Sequence, residues 1–109
     1  FMRDRGPAIR AEWEKIPDDA DVVITHGPPY GHGDLAPSWK GEPLRHVGCF
    51  ELLNRLRIVR PRLNVFGHIH DGYGITISDE IPGTTFVNAS VCTEAYRPSN
   101  RPHRFELNR

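Results

Sequence analysis

The sequence predicts an α/β domain, and three observations carry the prediction. Two short apolar runs, Val22-Val23-Ile24 and Val65-Phe66, are each bounded by turn residues, as buried strands are. Between them Leu44, Val47, Phe50 or Glu51, Leu53 and Leu56 recur at three- and four-residue steps, the stripe of an amphipathic helix. Ten prolines and ten glycines in 109 residues add many turns, since proline usually contributes only about 5% of a chain. Strand, helix, strand over residues 22–66 makes a right-handed parallel crossover unit the expected centre of the fold.

Gly6-Pro7 opens a first helix over Ala8 to Lys15, which Pro17 and the polar turn Asp18-Asp19-Ala20 stop. Val22-Val23-Ile24 follows as a strand buried on both faces. Gly27 to Pro43 then reads as a long loop rich in Gly and Pro, and long ordered loops are often functional. Pro43 suits the first turn of the second helix. Arg55, Arg57 and Arg60 fill its outer side and meet the negative pole of its dipole, and Pro61 ends it. Val65-Phe66 is the next strand. Tyr73 to Ile77, Thr84 to Ala89 and Arg104 to Leu107 follow as strands joined by short turns, in the manner of a meander.

Composition excludes several classes. Fourteen basic and fourteen acidic side chains cancel, so no field favours a nucleic-acid duplex or an anionic membrane. No run of about 18 apolar residues is present, so no spanning helix is expected. Cys49 and Cys92 belong to no Cys-x-x-Cys pair and are expected as buried thiols in a reducing, cytoplasmic setting. Asn88-Ala89-Ser90 matches the glycosylation triplet, a match expected to be coincidental because Phe1 onward reads as no signal peptide. The opening Phe1-Met2 suggests that the natural protein extends upstream or that the chain is a trimmed form of it.

The chemistry lies in the histidines. His26 follows the first strand and precedes Gly27; His68 and His70 follow the second and sit between Gly67 and Gly72. In open α/β sheets ligands collect beyond the carboxyl ends of strands, so parallel strands would bring His26 and His68 to one edge. With extended backbone from His68 to His70, both rings would share a face and Ile69 would point inward. Neutral imidazole suits zinc, iron, manganese or nickel. The plain alternative for each histidine is a half-buried residue with a hydrogen bond.

Thr25-His26-Gly27-Pro28-Pro29 followed by Gly67-His68-Ile69-His70 resembles the motifs of the calcineurin-like metallophosphoesterases. The likeness is closer to one branch, the small metallophosphoesterase-domain proteins. It rests on His26-Gly27-Pro28-Pro29-Tyr30-Gly31-His32-Gly33-Asp34, on Gly48-Cys49 before Glu51-Leu52-Leu53, and on Phe66 through Gly74. Thr85 to Cys92 and the tail near Pro98-Ser99-Asn100 share it. The resemblance implies a four-layer α/β/β/α sandwich with two metal ions (Mn, Fe or Zn) at the strand ends. His26 and His68 would hold one ion and His70 the other, activating a water for attack on a phosphate mono- or diester, nucleotides included. The amino-terminal motifs of that family, Asp-x-His, a Gly-Asp ahead of the first strand-end histidine, and Gly-Asn-His followed by Asp or Glu, are absent. Residues 1–109 therefore resemble the carboxyl-terminal half of such a domain.

Around these ligands, His32 and Asp34 either line the substrate mouth or stabilise a turn. Asp71 is placed to orient an imidazole, and Asn88 sits near the site or orders the preceding loops. His46 and His103 are expected to face solvent or cap, Trp13 and Trp39 to pack, with Trp39 a possible wall for a nucleobase. Arg97, Arg101 and Arg104 suit a phosphate or a solvated tail. A second function remains open: an incomplete fragment that acts as a binding, scaffold or complementation module and self-associates through an uncovered sheet edge. An amidohydrolase barrel is disfavoured, because its His-x-His opens the barrel and too few residues follow here.

Overall fold

The computed structural model describes residues 6–37, 42–90, 100–102 and 104–106. Along the chain come α1 (Pro7–Trp13), β1 (Val22–Ile24), β2 (Leu35–Pro37), β3 (Leu44–His46) and α2 (Phe50–Val59). They are followed by β4 (Leu63–Phe66), a 3-10 turn (His70–Gly72), β5 (Gly74–Ile77) and β6 (Thr85–Asn88). The mixture of helices with a mixed parallel and antiparallel sheet is α/β. No helix among the described residues is long and apolar enough to cross a membrane.

The main sheet has the order β1-β4-β6-β5. β1 pairs parallel with β4, Val22 beside Leu63 and Ile24 beside Val65, as the crossover reading requires. The meander does not form. β6 pairs parallel with β4 and antiparallel with β5, so it lies between them. The burial pattern gives the reason: Phe86, Val87 and Asn88 are buried, whereas Ile75, Thr76 and Ile77 of β5 are exposed, so β5 takes the edge. Among the described residues, 104–106 form no strand.

The helices cover one sheet face. Val23, Phe66 and Phe86 pack there against Leu52, Leu53, Leu56 and Val59 of α2 and against Ile81. The inward stripe of α2 therefore runs through Leu52, Leu53, Leu56 and Val59, while Leu44 and Phe50, expected inside, are exposed. α1 joins this layer through buried Ile9 and through Arg10 Nε, 2.9 Å from Glu51 Oε2. The hydrogen bond from Arg10 holds the Glu51 carboxyl below the usual carboxylate range.

α2 starts later than Pro43 predicts. Leu44–His46 pairs antiparallel with Leu35–Pro37, so the long loop contains a small hairpin. The chain then crosses the backbone of Pro29 so closely that a Cβ on Gly48 would stand 2.3 Å from the Pro29 carbonyl oxygen. Cys49 N–H donates to Pro28 O at 3.0 Å, and Cys49 is extended. Helix forms only beyond that crossing. At the other end Arg60 adopts φ 50°, a left-handed cap, and Pro61 follows, a common way to stop a helix.

On the opposite sheet face Leu63 and Val87 are buried in the centre, but the edges are open. The register sets Val22, Leu63, Thr85 and Ile77 side by side, and likewise Ile24, Val65, Val87 and Ile75. Ile24 on β1 is 77% exposed and Ile77 on β5 is 80% exposed, so both edge strands are open on this side and β1 is not buried on both faces. Leu56→Ala is expected to cost about 2–5 kcal/mol of stability, and exposed Ile58→Ala within about 0.5 kcal/mol. Urea midpoints of the two variants check this contrast; similar midpoints would contradict the assigned inward face of α2.

Candidate functional site

Parallel pairing delivers two imidazoles to one rim. The β1–β4 ladder runs past the strand ends, Thr25 N–H donating to Val65 O at 2.9 Å and Gly67 N–H to His26 O at 3.1 Å. The His26 and His68 rings lie 4.6 Å apart between centroids and are tilted by 42°. Both residues are exposed. His68 has φ 67°, a left-handed conformation that is uncommon outside glycine and clusters at functional sites. Ile69 N–H folds back onto Gly67 O at 2.7 Å, and His70 opens the 3-10 turn.

The extended His68-Ile69-His70 segment is therefore not what forms. A positive φ at His68 followed by a tight turn removes the alternation that would set both rings on one face, and Ile69 is half-buried, not inside. Among the described residues no group of three or more His, Cys, Asp or Glu side chains gathers to hold a metal ion. His26 and His68 form a pair, and Asp71 beside His70 is exposed.

Buried polar side chains fix the loops around the pair. The Asn88 amide donates to Ile69 O at 2.7 Å and to Gly33 O at 3.0 Å, and its oxygen accepts from Ser90 N–H at 3.1 Å. Asn88 thus orders the preceding loops, and with its amide so engaged the glycosylation triplet has no accessible acceptor. Gly72 packs into the same joint: a Cβ there would lie 2.1 Å from Gly33 O. The Ser90 hydroxyl is buried with no hydrogen-bond partner among the described residues. It would stand 3.6 Å from a Cβ on Gly67, a spare oxygen one residue from His68. Asn64 reinforces the rim from inside, its amide reaching Val23 O at 3.0 Å and Thr25 Oγ1 at 3.4 Å.

Asp34 and His32 are interior groups, not a mouth. Asp34 is fully buried; Oδ2 accepts Gly31 N–H and Gly48 N–H at 2.9 Å each, and Oδ1 is 2.7 Å from His46 Nδ1. His32 is stacked on Phe86 with ring centroids 3.9 Å apart. Its Nε2 has no hydrogen-bond partner among the described residues, and Glu80 Oε2 at 3.7 Å is beyond hydrogen-bond range. A cleft of about 580 Å³ between α1 and α2, lined by Arg10, Glu51 and Arg55 among others, holds none of the histidines. Its cations are already paired, Arg10 with Glu51 and Arg55 with Asp18.

Comparison with known proteins decides the family. "Metallophosphoesterase domain-containing protein 1" of Homo sapiens is 50% identical over 108 residues, 98% of this chain and 31% of that protein. The Mus musculus protein of the same name gives the same values, and a UPF0046 protein of Caenorhabditis elegans is 41% identical over 98% of this chain and 37% of its own length. The chain belongs to this metallophosphoesterase-domain family. It spans about a third of the length of these curated relatives. No family model matches the chain.

For a metallophosphoesterase-domain chain the motif histidines are easily read, but two supports of the site are not. Asn64 interrupts an apolar strand, which was the only signal that its amide bridges β1 and β4. His46, expected to face solvent or cap, is exposed, but it sits on β3 and is bonded to Asp34, a partner that no local pattern marks. Trp39, Cys92, Arg97 and His103 lie outside the described residues. Cys49 is half-buried and accepts the Trp13 indole N–H at 3.4 Å.

Burial drives the His32 imidazole below its ordinary value of 6.5, against the attraction of Glu80 and Asp34. The unfolded chain then takes up the proton first, so the contribution of His32 is present above that value and is lost as pH falls through it. Relative to His32→Phe, the native chain is expected to lose stability between neutral and mildly acidic pH. Urea titrations of both proteins across that range measure it; a pH-independent difference would rule it out.

Proposed function

We propose that the full-length protein is a metal-dependent phosphoesterase, hydrolysing phosphate mono- or diesters such as nucleotides, and that this chain supplies the histidine half of its site. The observation that supports this best is the His26–His68 pair at the common end of two parallel strands. Two neutral imidazoles side by side are the right donors for Mn, Fe or Zn. The unpartnered Ser90 hydroxyl near His68 adds an oxygen. His26 and His68 would hold one ion and His70 would contribute to a second, with the remaining donors supplied from outside the described residues. Bound metal would lower the pKa of a water and offset charge on the phosphoryl oxygens.

The chain's own residues do the positioning. Gly27 and Gly67 carry the backbone past the rim, the β1–β4 ladder fixes the spacing of His26 and His68, and Asn88 holds the His70 turn through Ile69 O. His26 and His68 remain open to solvent, where a substrate can arrive. Asp71, next to His70 in the chain, would orient it. The fold then reads as one half of a four-layer α/β/β/α sandwich, residues 1–109 being its carboxyl-terminal portion. The exposed apolar edges of this face, Ile24 and Ile77, would be the surface that the second sheet covers.

His68→Ala and His70→Ala in the full-length protein are each expected to reduce bound metal and to abolish Mn-dependent hydrolysis of an aryl phosphodiester. Elemental analysis and steady-state rates check this. Unchanged metal content and rate in both variants would remove the proposal.

The same exposed edges favour a second reading, in which the isolated chain is a binding, scaffold or complementation module. Exposed β1 and the apolar edges then self-associate. Sedimentation of the 109-residue chain is expected to show oligomers that Ile24→Lys with Ile77→Lys dissolve into monomers. A clean monomer of the unsubstituted chain would eliminate this reading.

A further inference from the structure

We propose that Asn100 and Tyr73 latch the carboxyl-terminal tail across the strand-end rim and thereby position His70 for its metal ion; this rests on the phosphoesterase reading above. The rim can be followed strand by strand. His26 O accepts Gly67 N–H at 3.1 Å, and Phe66 O accepts Ala89 N–H at 2.8 Å, so the ends of β1, β4 and β6 lie side by side. Gly74, the first residue of β5, is paired with Asn88, which brings Tyr73 beside the residues that leave β6. His26, His68, Ser90 and Tyr73 therefore share one edge of the sheet.

The tail reaches this edge through two side chains. The chain leaves β6 at Ser90 and returns ten residues later, where the Asn100 amide donates to Ser90 O at 3.0 Å. One residue further, the Tyr73 hydroxyl donates to Arg101 O at 2.5 Å. The first anchor is firm, since Ser90 is buried and its own N–H is taken by the Asn88 side-chain oxygen. The second anchor belongs to the histidine turn. Tyr73 ends the 3-10 turn that His70 opens, and its backbone N–H donates to His70 O at 3.4 Å. One residue thus holds the tail with its phenol and the main chain of His70 with its peptide.

The turn itself is weak. It is three residues long and buries none of them, and 3-10 hydrogen bonds have poorer geometry than those of an α-helix. Its entrance is fixed from the interior, by the Asn88 amide on Ile69 O and by the close seat of Gly72 against Gly33 O. Its exit is Tyr73, where the tail attaches. Segments with little buried surface open locally, and an exit set loose would let His70 drift while the ladder still holds His26 and His68. The groups that orient a metal-binding imidazole are worth about 10- to 100-fold in metal affinity. The latch acts on one ligand, so its loss should be felt by one ion.

The test titrates Mn into the full-length protein and into two variants, Tyr73→Phe, which removes one hydroxyl and keeps the ring, and Asn100→Ala. Wild type is expected to take up a pair of ions. Each variant is expected to weaken one of them by roughly 10- to 100-fold and to leave the ion of His26 and His68 unchanged. His70→Ala should weaken that same ion, and Tyr73→Phe added to it should cost nothing more. Hydrogen exchange of the metal-free protein gives a reading apart from metal. Residues 70–74 are expected to exchange about 2- to 10-fold faster in Tyr73→Phe, and residues 24–27 at the wild-type rate. A wild type that takes up no Mn removes the phosphoesterase reading and this one with it. Both ions weakened alike, neither weakened, losses that add to those of His70→Ala, or unchanged exchange at residues 70–74 overturns the latch alone.

Discussion

The parallel pairing of β1 with β4 is the constraint on which the rest depends. It sets Val23 beside Asn64 and carries the hydrogen-bond ladder on to His26 and Gly67, so the strand-end residues are neighbours by construction. A slip of one residue would turn Val23 out of the core and separate His26 from His68, because side chains alternate along a strand. Asn64 guards against that slip. Its buried amide finds acceptors in Val23 O and Thr25 Oγ1 only in this register, and leaving such a group unpaired costs about 1–3 kcal/mol.

From that rim outward, order comes from buried polar groups, not from regular structure. Loops normally vary and move because little holds them. Here Asn88 at the end of β6 reaches across to carbonyls of two loops at once, Gly33 and Ile69, and Asp34 gathers Gly31, Gly48 and His46. The two devices meet at Gly33-Asp34. Glycine at 72 lets the His70 turn close on the same point, with no space for a side chain. The segments that carry His26, His70 and His46 are thus tied to one another through two interior residues.

Local patterns in the sequence reach as far as neighbouring residues do. The apolar runs, Pro7 at a helix start and Pro61 at a helix end were legible because each acts on its own surroundings. The start of α2 was not, because the close passage of Gly48 over Pro29 is a contact between distant segments. The position of β6 between β4 and β5 was hidden for the same reason, as strand order is set by which strands bury both faces. At the site, His26 and His68 could be paired from two matching strand ends. The bend at His68 could not be foreseen, since a left-handed histidine leaves no mark in a pattern of apolar spacing.

Under the half-domain proposal, two features of the chain share one physical explanation. Its histidines provide too few donors to hold a metal unaided among the described residues, and its sheet leaves Ile24 and Ile77 almost wholly exposed. Apolar surface left in water forfeits about 25 cal/mol for every Å² that burial would remove, so a lone sheet of this kind gives up much of its stabilisation. Metal ligands and apolar cover are both items that further polypeptide can bring to the same sheet. Relatives about three times as long have polypeptide to spare, this chain spanning only 31–37% of them. Under the proposal of a half-domain, closing the apolar face and completing the metal site are one event, so that assembly of the site is coupled energetically to burial of the sheet.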